Sequence, residues 1–237
     1  MKHVVSAIAR AGLVAGLLFT AVQAPAWAAP EAGKVYSVLP KPADTDHEVV
    51  EVVEFFSYAC PHCRTFEPHL QNWHKALPKD VRLVRVPVTF DRDQWAALAR
   101  MYYTLETLGE AERLSTEIFN ALHLEGVNLT VERVQQDWLS KRAVDPKKYL
   151  DTYRSFTVDS KMRRGLQLAQ AYQIDSVPTL GIAGRFRTSP SQAGEGDASL
   201  RVVDGLVAQV RKERAANKPE PAKQDKTAVR KKDAAVK

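Results

Sequence analysis

Two cysteines three residues apart, Cys60 and Cys63, are the only cysteines of the 237-residue chain. Their setting points to redox chemistry. A run rich in Val and Phe, Glu48 to Phe56, reads as a buried strand. Beyond the pair, Cys63, Phe66, Leu70, Trp73 and Leu77 recur at helical spacing, and Pro78 closes the pattern. With Pro61 as the first helical residue, Cys60 is the N-cap. A thiolate there faces the free N–H groups of His62 and Cys63 and the positive end of the helix dipole. A cationic His62 adds to this. The Cys60 thiol is therefore expected to ionise below an ordinary thiol. Cys63 lies on the apolar stripe and is the expected buried partner. One exposed sulfur serves as a good leaving group, and the other resolves a mixed disulfide.

Two other uses of the pair are weaker. As a structural staple, a four-residue loop contributes only roughly 2 kcal/mol, which a chain of this size does not need. A zinc site needs four ligands, and there is no second CxxC. His47, His69, His74 and His123 are scattered and read as surface or packed histidines, so no metal is expected.

The elements that position the pair follow from pattern. Val81 to Val88 reads as a second strand, with Pro87 suggesting an edge or a bulge. Between Asp91 and Tyr172 the chain is helical in character, with candidates over 93–108, 110–122, 131–140, 146–156 and 159–172. Gly109 suits a stop; Thr130 and Asp145 suit N-caps, the latter followed by Pro146. Ser176-Val177-Pro178-Thr179 leads into a short strand, Leu180 to Ala183. Ala183-Gly184 turns into Arg185-Phe186-Arg187. A loop over 188–196 and a helix near 197–214 complete the outline. There is no P-loop, GxGxxG or HExxH sequence.

The formal charge of +6 suggests a polyanionic partner, but its distribution argues otherwise. Residues 1–28 contain Lys2 and Arg10 and no acid, and 215–237 is net +4. The intervening 29–214 holds 25 basic and 25 acidic side chains. A basic nucleic-acid-binding core is therefore not expected. The first segment has the pattern of a secretory leader: basic residues, the apolar run Ala11 to Val22, then Ala26-Trp27-Ala28, with cleavage expected after Ala28. The apolar run is shorter than the roughly 20 residues of a membrane span. Export to an oxidising compartment, the periplasm, follows. The last segment has no aromatic residue and no apolar periodicity, and is expected to be disordered.

The segment Glu54-Phe55-Phe56-Ser57-Tyr58-Ala59-Cys60-Pro61-His62-Cys63 closely resembles the active-site region of the DsbA family of thiol:disulfide oxidoreductases. The likeness continues through 81–90 and the Val177-Pro178 loop. Pro-His between the cysteines is its specific part, since thioredoxins typically carry Gly-Pro there. The resemblance implies an α/β thioredoxin-like fold with a large inserted α-helical domain. On this scheme the thioredoxin-like parts are 29–91 and 173–214, the insert is 92–172, and 215–237 is a basic tail. It also implies a cis-proline at Pro178 beside the cysteines, with the Val177 backbone free to pair with an extended client. A buried acid at Glu54 would have a basic partner at Arg85, where the family commonly has lysine. Arginine does not readily release its proton, so Arg85 is expected to hold Glu54 ionised.

The activity implied is that of a dithiol oxidase acting on unfolded exported proteins with free thiols. Reoxidation by a DsbB-type membrane quinone reductase, a monomeric state and no organic cofactor are implied with it. An isomerase or reductant of the same superfamily is one alternative; a DsbC-type isomerase would carry an N-terminal dimerisation domain, for which there is little room. A periplasmic chaperone or binding module with an incidental CxxC is the other.

Overall fold

The computed structural model describes residues 31–217. The leader expected over 1–28, with cleavage expected after Ala28, and the expected tail from 218 onward lie outside the described residues.

Five strands form one sheet: β1 (Ser37–Val38), β2 (Val50–Phe56), β3 (Val81–Pro87), β4 (Thr179–Ile182) and β5 (Phe186–Thr188). Their order is β1-β5-β4-β2-β3, with β2 parallel to β3 and the other neighbours antiparallel. β3 is an edge strand, and Pro87 is its last residue, where a missing N–H costs no ladder bond. β2 lies inside the sheet and is covered on both faces, which explains its unbroken apolar run. Val50 and Val52 pack in a core with Phe66 and Leu70 of helix α1 (Pro61–Lys75) and Leu200, Val203 and Leu206 of helix α8 (Asp197–Ala216). Val53 and Phe55 point the other way, against Ala169 and Tyr172. Glu54 shares the face of Val52 and Phe56 by strand alternation, so it too is driven inside, with no exposed surface.

Helices α2 (Asp93–Leu108), α3 (Ala111–His123), α4 (Glu132–Ser140), α5 (Pro146–Tyr153) and α6 (Phe156–Ala171) run between β3 and β4. Gly109 ends α2 in the left-handed conformation, φ 77°. Asp145 caps α5 by accepting from the Lys148 N–H at 2.6 Å. α4 differs from expectation. Its N-cap is Val131 with no side-chain cap, and Thr130 instead donates its hydroxyl to Asn128 Oδ1 at 2.5 Å. The break between α5 and α6 also falls earlier than the pattern suggests, because the Ser155 hydroxyl accepts from the Val158 N–H and starts α6 there. The loop expected over 188–196 contains a single helical turn, α7 (Pro190–Ala193). Ala215 and Ala216, expected in the tail, are the last residues of α8. No helix among the described residues is long and apolar enough to cross a membrane.

Candidate active site

β2 delivers the chain to the cysteine pair. At its end Cys60 donates its N–H to the Ser57 carbonyl at 3.0 Å, and Ala59 donates to Ser57 Oγ at 3.2 Å. This turn leaves Cys60 extended, φ −90° and ψ 118°, at the N-cap of α1 with Pro61 following. Both cysteines are free thiols. Cys63 is fully buried, as the stripe requires. Cys60 is more covered than expected, only 7% exposed, because the Val177-Pro178 loop closes over it. Its thiol donates to the Val177 carbonyl at 3.5 Å. The Val177–Pro178 peptide bond is cis. His62 and Pro61 stand exposed beside it.

The two sulfurs differ in acidity. The Cys63 thiol donates to Cys60 and, with the N–H groups of Cys63 and His62 and the His62 charge, pushes the Cys60 pKa down to about 6 against the cost of burial. Burial, together with that same donated bond, pushes Cys63 well above an ordinary thiol. Such a pair suits a mixed disulfide formed at Cys60 and resolved by Cys63.

Beneath the pair lies a charged cluster. The parallel register sets Glu54 beside Arg85. Arg85 Nε donates to Glu54 Oε2 at 2.6 Å, Nη2 to Glu67 Oε2 at 2.6 Å and Nη1 to Ser115 Oγ at 2.9 Å. Its guanidinium also lies 4.5 Å from the Phe56 ring centre. The ionisation of Glu54 differs from the expectation. Arg85 does not hold Glu54 firmly ionised, because desolvation outweighs the pairing and pushes the Glu54 pKa up to about 7. Glu54 Oε1 and the Tyr58 hydroxyl are buried without protein partners.

Three contacts to this region went unread in the sequence: Glu67, Ser115 and His123. Glu67 was legible, since it follows Cys63 by one helical turn and precedes Leu70, an acid on an apolar stripe. Ser115 and His123 come from α3, and nothing local announces them. His123 is not an ordinary packed histidine. Its Nε2 lies 2.7 Å from the Tyr58 carbonyl, on the loop that enters the cysteine pair. Around this link Tyr58 packs edge-on against Phe56 and Phe119, with ring centres 5.2 and 5.0 Å away. The inserted helices thus brace the active-site loop. His123→Ala leaves the Tyr58 carbonyl without this partner and should cost about 1–2 kcal/mol in urea unfolding of the reduced protein; an unchanged midpoint would show the bond to be immaterial.

Comparison with known proteins agrees with this geometry. Residues 51–201 match the family of DSBA-like thioredoxin domains. The thiol:disulfide interchange protein DsbA of Burkholderia cepacia is 38% identical over 201 residues, covering 84% of this chain and 92% of that protein. Its Pseudomonas aeruginosa counterpart is 38% identical over 188 residues, covering 79% and 87%. The crystal structure of Pseudomonas aeruginosa DsbA superposes with a TM-score of 0.73 at 37% identity, covering 79% of this chain and 96% of that one.

Proposed function

The chain belongs to the DsbA-like family of thioredoxin-fold proteins, and from that premise we propose that Cys60 and Cys63 are its redox centre, with His62, Pro61, Val177, Pro178, Glu54 and Arg85 supporting them. It is a thiol:disulfide oxidoreductase that forms disulfide bonds in proteins. The observation that carries the assignment of the pair is its placement, with Cys60 at the N-cap of α1 and Cys63 fully buried one turn further on, which sets the two sulfurs at opposed acidity.

The cycle balances as follows. A client thiolate attacks Cys60 Sγ of the oxidised enzyme. The Cys60–Cys63 bond breaks, and Cys63 leaves as a thiolate and takes up a proton. A second client thiolate then attacks the client sulfur of the mixed disulfide. Cys60 leaves as a thiolate, which the N-terminus of α1 stabilises. The client loses two electrons and the enzyme gains them. Glu54, half-ionised near neutrality, can supply or accept the Cys63 proton, with Arg85 and Glu67 fixing its position. The Val177 carbonyl, 3.5 Å from Cys60 Sγ, is placed to accept from an extended client.

The clients proposed are unfolded exported proteins, met in the periplasm after removal of residues 1–28. Residues 92–172 form the inserted unit on this reading, and 215–237 a basic tail. Reoxidation is assigned to a DsbB-type membrane quinone reductase docking on the face around Cys60 and Pro178. A redox titration against glutathione tests oxidase against reductant. A midpoint well above the roughly −270 mV of thioredoxin is expected; one near that value would favour the reductant.

A further inference from the structure

Beside the redox pair is a cleft of about 200 Å³, bounded by His62, Val177, Pro178, Pro190, Ser191 and Glu195. It is smaller than the roughly 300–1,000 Å³ of small-molecule sites and suits one side chain of an extended polypeptide. The Val177 carbonyl also lies 3.5 Å from Cys60 Sγ, so whatever fills the cleft neighbours the reacting client cysteine in sequence.

The sequence fixes how Glu195 meets this cleft. Gly194 and Gly196 both adopt positive φ, 99° and 56°. A Cβ at Gly194 would lie 2.9 Å from Ala198 Cβ, and one at Gly196 would lie 2.8 Å from the His69 ring. Glycine on either side therefore sets a tight turn with Glu195 at its tip. The neighbouring acid, Asp197, is taken by His69 Nδ1 at 2.7 Å. Glu195 is exposed and forms no ion pair among the described residues. Asp175 accepts from the hydroxyl of Ser176, a lining residue, at 3.0 Å. His62 is the one basic side chain on the cleft wall. Prolines and Val177 supply apolar surface for an aliphatic stem, and Glu195 supplies a counter-charge for its end.

We propose that Glu195 is a specificity-determining residue that favours clients with lysine or arginine beside the reacting cysteine over clients with an acid there. The proposal rests on the assignment of Cys60 as the sulfur that clients attack. Opposite charges attract across a partly exposed cleft and like charges repel, so a three- to tenfold preference in kcat/KM is expected, on the order of exposed pair energies, weakening with salt.

Three two-thiol peptides, identical except for Lys, Ser or Glu beside the first cysteine, separate the possibilities. Their oxidation by the full-length oxidised chain is measured at low and high ionic strength, with Glu195→Gln and Glu195→Lys in parallel. The expected order is Lys above Ser above Glu, compressed by salt, flattened in Glu195→Gln and reversed in Glu195→Lys. A structural effect of either substitution would change all three rates together and leave the order intact. Equal wild-type rates, or a wild-type order preserved in Glu195→Gln, would overturn the proposal. Failure of the Ser peptide to be oxidised by any of the three enzymes would overturn the underlying assignment of Cys60 as well.

Discussion

Cys60→Ser is expected to reduce disulfide transfer to the uncatalysed rate, whereas Cys63→Ser keeps a reactive thiolate that stops at a mixed disulfide. The difference follows from the acidity of the two sulfurs. With its pKa near 6, Cys60 is about nine-tenths thiolate at pH 7, against roughly one part in a hundred for a thiol at 9. Cys60 is the member whose folded pKa is depressed. Its contribution favours the reduced form above about pH 6 and disappears as pH falls through that value. At pH 7 ionisation at the lowered pKa stabilises the reduced form by a factor of about ten, or roughly 1.4 kcal/mol, which is about 30 mV toward an oxidant for a two-electron couple. The pH dependence of alkylation reads this directly, and half-maximal modification near pH 6 is expected. The first cause of the shift is the bond donated by the Cys63 thiol. Cys63→Ala should therefore raise the half-point by about one to two units, the size of a hydrogen bond to a charged group. Cys63→Ser should raise it less, since a hydroxyl still donates. Incubated with oxidised glutathione, Cys63→Ser should carry one glutathione per chain by mass, and Cys60→Ser none. A Cys60→Ser enzyme that still oxidises a two-thiol peptide at the wild-type rate would leave the mechanism without its nucleophile.

The parts of this site that are local in sequence were legible. Strand, cysteine pair and apolar helix stripe follow one another within thirty residues, and the N-cap position of Cys60 needs only Pro61 to be seen. The Glu54–Arg85 pairing follows from the register of two strands either side of a helix, and the resemblance to the family supplied it. What failed depends on packing. The protonation of Glu54 is set by how completely the inserted helices and α1 exclude water, a quantity no pattern carries. Ser115 and His123 belong to a helix whose distance along the chain says nothing of its closeness to Cys60. Strand β1 and helix α7 are too short, at two and four residues, for periodicity to register. Charge illustrates the same limit. The balance over 29–214 suggests indifference to client charge, yet Glu195 lies on the face that clients would meet.

Removing the arginine beneath the cysteines should be the most damaging substitution outside them. In Arg85→Met, Glu54 and Glu67 lose the guanidinium that bridges them at 2.6 Å each. Two nearly inaccessible carboxyls are left facing one another, and a loss of about 3–5 kcal/mol is expected in denaturant unfolding at neutral pH. Part of that loss should be recovered in acid, where protonation relieves the repulsion. Wild-type protein carries a milder version of the same conflict. Glu54 binds its proton more tightly folded, pKa about 7, than at its ordinary value of 4.5. Between those values the unfolded chain has released a proton that the folded chain keeps. The stabilising contribution of Glu54 is therefore complete below about pH 4.5 and is lost as pH rises through 7, by up to about 3 kcal/mol. The oxidised protein isolates this effect, since neither cysteine then titrates, and no cysteine is among the causes of the Glu54 shift. Urea midpoints of the oxidised wild type should fall between pH 4.5 and 7, and Glu54→Gln should remove most of the slope. Stability of the oxidised wild type that instead rose over this interval would mean that Arg85 keeps Glu54 ionised after all. Glu54 could not then serve as the proton carrier for Cys63.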